Sequence, residues 1–349
     1  MTKAIGYGVT SATAPLAPIT FERRALRPDD VAIDIAYCGV CHSDAHQAHN
    51  DWGNTVYPCV PGHEIVGHVT AIGSSVKKFK VGDTVAVGCL VDSCMECAAC
   101  HDGYEQGCEK GPVATYNGKD RHTGEITYGG YSNHIVVRDH FVCRLPEKLD
   151  IRYAAPLLCA GITCWTPLRQ WNVGKGSKVG VVGLGGLGHM GVKLAAALGA
   201  EVTMITTTAS KGEDARKLGA RHVLLSTDQK AMAAAMNSFD FILNTIPVKH
   251  NANPYLMLLG RKGVMVIVGA LEPLEPIHGG LLMRNTRAVA GSAIGGLPDT
   301  QELLDFCAEH NILPECEMIS MQDINKAYER MEHNDVKYRF VIDMASLKA

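Results

Sequence analysis

The chain has 349 residues, 36 of them glycine, with 46% hydrophobic residues and a net charge of −3. These figures exclude a collagen-like, disordered or disulfide-stapled small protein, and the length suggests two domains that each bury an apolar core. Basic runs stop at pairs such as Arg23-Arg24 and Lys77-Lys78, so nothing in the chain follows a nucleic-acid backbone.

The uncharged stretch 4–21 is broken by Gly6, Gly8, Pro15 and Pro18, and it lacks the basic start and compact apolar run of a signal peptide. The uncharged run 153–168 contains Pro156 and Pro167 and is shorter than the ~20 apolar residues of a membrane span. A soluble, cytoplasmic chain is expected, in which thirteen cysteines serve as metal ligands and buried thiols and not as a disulfide framework. β-Branched runs at 31–36, 65–72, 84–88 and 134–137, separated by Gly, Pro and Asp turns, predict an irregular β region between residues 30 and 145.

Within that region Cys94, Cys97, Cys100 and Cys108 form C-x2-C-x2-C-x7-C. One tight loop can then present four thiolates to a tetrahedral zinc at about 2.3 Å each, a closed shell with no position for chemistry. The metal would stand in for an apolar core in a lobe, 92–111, too polar to build one. An iron–sulfur cluster is the competing reading. A ferredoxin run has three residues and not seven before its last cysteine, with Pro where Glu109 stands here.

From residue 178 the pattern becomes a βα alternation: strand 178–182, helix 187–198 ended by Gly199, strand 201–206, helix 211–218 before Gly219, strand 239–243, helix 251–259 before Gly260 and strand 263–268. Such a series implies a parallel sheet. Two helical stretches and a strand at 338–343 close the chain. The segment 160–297 carries +7 and the remainder −10, which suits an anionic ligand bearing several phosphates.

Gly183, Gly185 and Gly188 form G-x-G-x-x-G between the first strand and helix of this series. The first allows a tight turn, the second lets backbone approach a pyrophosphate, and the third lets the helix pack closely, with its N-terminus toward the phosphates. A Rossmann dinucleotide domain follows. An NAD-preferring site would carry an acid about 20 residues on, for the ribose 2′-hydroxyl. Thr206, Thr207, Thr208 and Lys211 stand there instead, donors for a 2′-phosphate, so NADP(H) is expected.

Other candidates are dispersed: Cys41, His63 with Glu64, and Cys159. Spacing alone does not join them, and singly they read as a loop histidine and buried thiols. The string Pro61-Gly-His-Glu64, the four-cysteine lobe and the glycine turn together resemble the zinc-containing, medium-chain alcohol dehydrogenases, over essentially the whole chain. Tyr37-Cys-Gly-Val-Cys-His-Ser-Asp44, Pro156-Leu-Leu-Cys-Ala-Gly-Ile-Thr163 and Asp335-Val-Lys-Tyr-Arg-Phe-Val341 look like the cinnamyl alcohol dehydrogenase subfamily, including its bacterial broad-range NADPH-dependent aldehyde reductases.

The resemblance implies an α/β fold: a doubly wound Rossmann domain, 160–297, inserted in a mostly β, GroES-like catalytic domain formed by 1–159 and 298–349. It implies that Cys41, His63 and Cys159 hold a catalytic zinc, with Glu64 beside them as a supporting or alternating ligand. Two zinc ions per chain are then expected. Thr163, Ser292, Ala293 and Ile294 should border the nicotinamide, Gly269 should approach it by backbone, and Arg339 should pair with the pyrophosphate. Gly186, Leu187 and Thr245 complete the expected cofactor contacts. The metal would polarise an aldehyde oxygen while NADPH delivers hydride, and Ser43 with His46 would relay the proton.

Trp52, Cys89, Leu90, Ala293 and Ile294 match pocket-lining regions, suggesting an apolar cleft for aromatic or medium aliphatic substrates. A homodimer joined through the cofactor domains is expected. A polyol or secondary-alcohol dehydrogenase would commonly carry an acid where Cys159 stands, and a noncatalytic NADPH-binding sensor would lose a metal ligand.

Overall fold

A computed structural model describes residues 2–269 and 272–347. The chain divides into two compact units, Met1–Cys159 with Gly295–Ala349, and Ala160–Ile294. The second unit therefore closes before residue 297. The reason is local: Leu297 opens the helix Leu297–His310, and its N–H is taken at 2.9 Å by the buried carboxylate of Glu105 in the cysteine lobe.

The first unit is organised by the strand Asp30–Val40, whose Val31, Ile33 and Ile35 line one buried face of the pleated surface. On one edge it pairs antiparallel with Ile65–Ile72; two register irregularities, at 32/33 and 35/37, bend it. On the other edge its first half pairs with His134–Arg138 and its second half with Arg339–Asp343. Antiparallel pairing of Cys38 with Ile65 brings the exit of one strand beside the start of the next. Cys41 follows the first and His63-Glu64 precede the second, so the sheet register delivers three polar side chains to one place.

The hairpin Thr2–Gly8 with Ala17–Arg23 was not anticipated, because its glycines and prolines read as breaks. Two of the glycines are close approaches instead: a Cβ at Gly6 would lie 2.5 Å from Tyr131 O, and one at Gly8 would lie 2.7 Å from Cys59 O. The lobe is closed at its base by the short strands Leu90–Asp92 and Val113–Ala114. Its buried cluster consists of the four cysteines and Ala99, with no larger apolar side chain.

The second unit is a six-stranded parallel sheet in the spatial order His222–Leu225, Glu201–Thr206, Lys178–Val182, Phe239–Asn244, Leu259–Ile267, Ala288–Gly291. Numbered along the chain this is 3-2-1-4-5-6, the doubly wound order, with its switch point between Lys178–Val182 and Phe239–Asn244. The two outermost strands are four residues long and were not foreseen, since so short a run carries little periodicity. Val182, Ile205, Ile242 and Met265 form the centre of its core. Among the described residues no helix is long and apolar enough to cross a membrane.

Candidate active site

The Sγ atoms of Cys94, Cys97, Cys100 and Cys108 lie within 4.8 Å of one another. Backbone N–H groups point at two of them, Cys94 to Cys108 Sγ at 3.4 Å and Glu109 to Cys97 Sγ at 3.5 Å, as suits thiolates. The Arg121 guanidinium lies 3.8 Å from Cys108 Sγ. Four sulfurs and no fifth group fit a closed structural zinc.

The dispersed candidates meet in the first unit. Ligand atoms of Cys41, His63, Glu64 and Cys159 also lie within 4.8 Å of one another, and all four residues are buried. Cys41 Sγ and Cys159 Sγ are 3.8 Å apart. Two thiolates at about 2.3 Å on a tetrahedral zinc stand about 3.8 Å apart, so the pair is already spaced for the metal. Glu64 faces them with neither carboxylate oxygen hydrogen-bonded. Its Oε1 lies 3.1 Å from Arg339 Nη2 and 4.0 Å from His63 Nε2. Gly39 makes room for it, since a Cβ there would lie 1.9 Å from Glu64 Oε2.

Asp44, fully buried, organises this set. Its Oδ1 accepts from His63 Nδ1 at 2.9 Å and from Gly62 N–H at 3.0 Å, and its Oδ2 accepts from Cys41 N–H at 2.9 Å and Tyr131 O–H at 3.2 Å. With the proton fixed on Nδ1, His63 Nε2 is left as a lone-pair ligand. Sequence reasoning gave Asp44 no role; the spacing Cys41-x-x-Asp44 at the start of the helix His42–Ala48 is a capping-box signal that marks it.

Electrostatics fit a metal. The hydrogen bond from Cys159, with Arg339 and His63 nearby, holds the Cys41 thiol well below its ordinary range against the opposing effect of burial. Burial pushes Glu64 up to about 7, despite the pull of Arg339. His63 is drawn down by burial, but Asp44 more than reverses this and holds it well above the usual range. Anionic sulfur beside a buried carboxyl and a histidine is the donor set of an open zinc site.

Ser43 and His46 lie three residues apart on the same helix, both half-buried. Cys41 stands at its N-cap. His46 Nδ1 is 2.7 Å from Asp51 Oδ2, a partner the sequence did not reveal, and its ring lies 5.8 Å from Trp52. Trp52 is 40% exposed, Cys89 half-buried and Leu90 buried. Arg339, expected on the pyrophosphate, is buried with Glu64 as its ionic partner, because its strand runs beside the one that ends at Val40.

In the second unit the glycine turn has the predicted form. Gly183 adopts φ +91°, a Cβ on Gly188 would lie 1.9 Å from Gly183 O, and a Cβ on Gly185 would enter open space. Gly186 and Leu187 lead into the helix Gly188–Ala197. Thr245 Oγ donates to Val182 O at 2.8 Å, tying the turn to the neighbouring strand. Gly269 lies against that threonine, since a Cβ there would lie 2.4 Å from Thr245 O, and Ser292 N–H bonds Ile267 O at 3.2 Å. Thr163 is buried in the helix Ala160–Gln170, while Ala293 is exposed and Ile294 adopts φ +43°. Thr206 is buried at its strand end, whereas Thr207, Thr208 and Lys211 are exposed around the first turn of Ala209–Lys217, and that turn has no acid.

Known proteins share this fold. Residues 27–147 match the alcohol dehydrogenase GroES-like domain and residues 186–309 the zinc-binding dehydrogenase family. The chain is 53% identical to aldehyde reductase YahK of Escherichia coli over 347 residues, 99% of either chain. It is 51% identical to an NADP-dependent alcohol dehydrogenase C of Mycolicibacterium smegmatis over 350 residues, 100% of either. A cinnamyl alcohol dehydrogenase structure from Sorghum bicolor superposes with TM-score 0.95 at 45% identity, covering 99% of this chain and 98% of that one. One from Helicobacter pylori, complexed with NADP(H), gives 0.92 at 42%, covering 99% of each. The chain belongs to the zinc-containing medium-chain alcohol dehydrogenases, within the cinnamyl alcohol dehydrogenase-like subfamily.

Proposed function

We propose that the protein reversibly interconverts aldehydes and primary alcohols with NADP(H), favouring reduction of aromatic or medium-chain aliphatic aldehydes. The observation that carries this reading is the convergence of Cys41, His63, Glu64 and Cys159 around one buried point. Zinc held there supplies Lewis acidity toward a carbonyl oxygen, and NADPH supplies the hydride. Asp44 keeps the ligand tautomer of His63. The Ser43 hydroxyl gives its proton to the product oxygen, and His46, held at Nδ1 by Asp51, returns one from solvent. The exposed hydroxyls of Thr207 and Thr208 and the Lys211 ammonium hold the 2′-phosphate.

Two further assignments follow. Among the described residues the strand Ala288–Gly291 pairs on one side only, and Met283 just before it is 82% exposed, which supports a homodimer joined through the cofactor unit. Light scattering should return twice the chain mass. None of the thirteen cysteines is joined in a disulfide, which suits a reducing cytoplasm.

The test is initial-rate oxidation of NADPH and NADH with cinnamaldehyde, benzaldehyde, an aliphatic aldehyde and a ketose, before and after chelation. NADPH alone should support fast, chelator-sensitive aldehyde reduction. Lys211→Ala should raise the NADPH KM by about tenfold or more, the loss of a charge-assisted bond, and leave the NADH value unchanged. Equal use of NADH by the unaltered protein would remove the 2′-phosphate assignment.

A further inference from the structure

Arg23, the last residue of Ala17–Arg23, is 7% exposed and has no carboxylate partner among the described residues. Burying a guanidinium without a counter-charge is costly unless its donors are fully used. Here they converge on one stretch of chain. Nε bonds His134 O at 2.9 Å, Nη2 bonds Gly129 O and Ser132 Oγ at 2.8 Å each, and Nη1 bonds Tyr128 O. The Phe21 ring lies 4.9 Å beneath the charged carbon. Burial pulls the guanidinium down to about 9, with Arg24 adding to the effect, so Arg23 remains a cation at neutral pH.

The carbonyls of Tyr128, Gly129 and His134 thus face Arg23, while the N–H groups of Gly129, Gly130 and Tyr131 face the segment 60–62 that leads into His63 and Glu64. Gly129 N–H bonds Val60 O at 2.7 Å, Gly130 N–H bonds Gly62 O at 2.8 Å and Tyr131 N–H bonds Pro61 O at 3.0 Å. The approach is tight enough that a Cβ on Gly129 would lie 2.3 Å from Pro61 O. Tyr131, fully buried, then reaches Asp44 through its hydroxyl, and Asp44 holds both His63 and the Cys41 amide.

We propose that Arg23 is a positioning residue for the Cys41, His63, Glu64 and Cys159 metal centre, acting through loop 128–134, Tyr131 and Asp44. This rests on the reading that those four residues hold zinc. A lysine keeps the charge, but its compact ammonium cannot span four acceptors set for a planar fork. Arg23→Lys should therefore loosen this metal while leaving the four-cysteine metal unaffected.

The experiment uses the full chain loaded with zinc and follows release of each ion to a colorimetric chelator, with cobalt(II) substituted in parallel for its thiolate absorption bands. Arg23→Lys and Tyr131→Phe should each release one of the two ions about tenfold or more faster, as loss of an outer partner does. The bands of the Cys41–Cys159 centre should shift, the lobe ion should leave at the unaltered rate, and the double variant should be no faster than the faster single. Equal acceleration of both ions, additive effects in the double variant, or a lower melting temperature with unchanged release would each overturn the proposal. Should Arg23→Lys not fold, Ser132→Ala, which removes one acceptor, must accelerate the same ion, and its failure to do so overturns the proposal equally. An unaltered protein that takes up a single ion overturns the metal-centre reading together with the proposal.

Discussion

The two cysteine-bearing centres are made in opposite ways. The lobe takes four thiols from positions 94–108, and its buried cluster contains little else. The other takes two thiols, an imidazole and a carboxylate from positions 41, 63, 64 and 159, with the Cys41 amide and His63 held by Asp44 and Asp44 held in turn by Tyr131. The first makes a site without a core, and the second uses a whole β domain to make a site. A closed four-sulfur shell stabilises local structure, whereas chemistry needs an open position whose ligands cannot drift. Rigidity of that kind is supplied by sheet register and not by loop spacing.

Removing one ligand from each centre should separate these roles. His63→Ala should lower turnover by at least about 10³-fold, the several kcal/mol of Lewis-acid stabilisation, while the fold persists and metal analysis shows one ion left. Cys108→Ser should instead show first in stability, a loss above about 4 kcal/mol read by calorimetry, since the lobe has no apolar cluster to fall back on. If the two variants lost activity and stability in equal proportion, the division of labour between the centres would be wrong.

Smaller effects sharpen the contrast. Ser43→Ala should reduce turnover by about 10²-fold with both metals retained, the ordinary worth of a positioned proton donor. Unchanged turnover would remove Ser43 from the relay. Asp120, in the loop beside the lobe, is held well below the usual carboxylate range: burial opposes this, but Arg27 at 2.9 Å and the amides of Thr123 and His122 prevail. A depressed folded-state pKa contributes stability that is present above about pH 4 and lost as pH falls toward the folded value. Asp120→Asn should therefore lower the melting temperature slightly at pH 7 and flatten its decline between about pH 4 and 2, measured by calorimetry across that range.

The same contrast explains what could be read in advance. The lobe ligands and the glycine turn were found by spacing, because one short segment of backbone fixes their geometry. The strands Asp30–Val40, Ile65–Ile72, Thr84–Val87, His134–Arg138, Lys178–Val182, Glu201–Thr206 and Phe239–Asn244 were found by periodicity, though Gly6, Gly8, Pro15 and Pro18 hid the first hairpin. Glycines that permit close backbone approach look the same in a sequence as glycines that break a strand. Asp44 stood in plain view beside Ser43, yet nothing in its neighbours says that it reaches His63, nineteen residues on.

By itself the sequence determined the four-cysteine lobe, the strand–turn–helix of a dinucleotide fold and the absence of an acid where a free ribose would bind. Each of these rests on residues close in the chain, whose mutual geometry is set by a few backbone angles. Only the tertiary structure decided that Cys41, His63, Glu64 and Cys159 share one buried point, that Asp44 and Asp51 orient the two histidines, that Arg339 pairs with Glu64 and that Arg23 grips loop 128–134. Those contacts depend on sheet pairing and register, and a shift of one residue would turn every side chain of a strand to its other face.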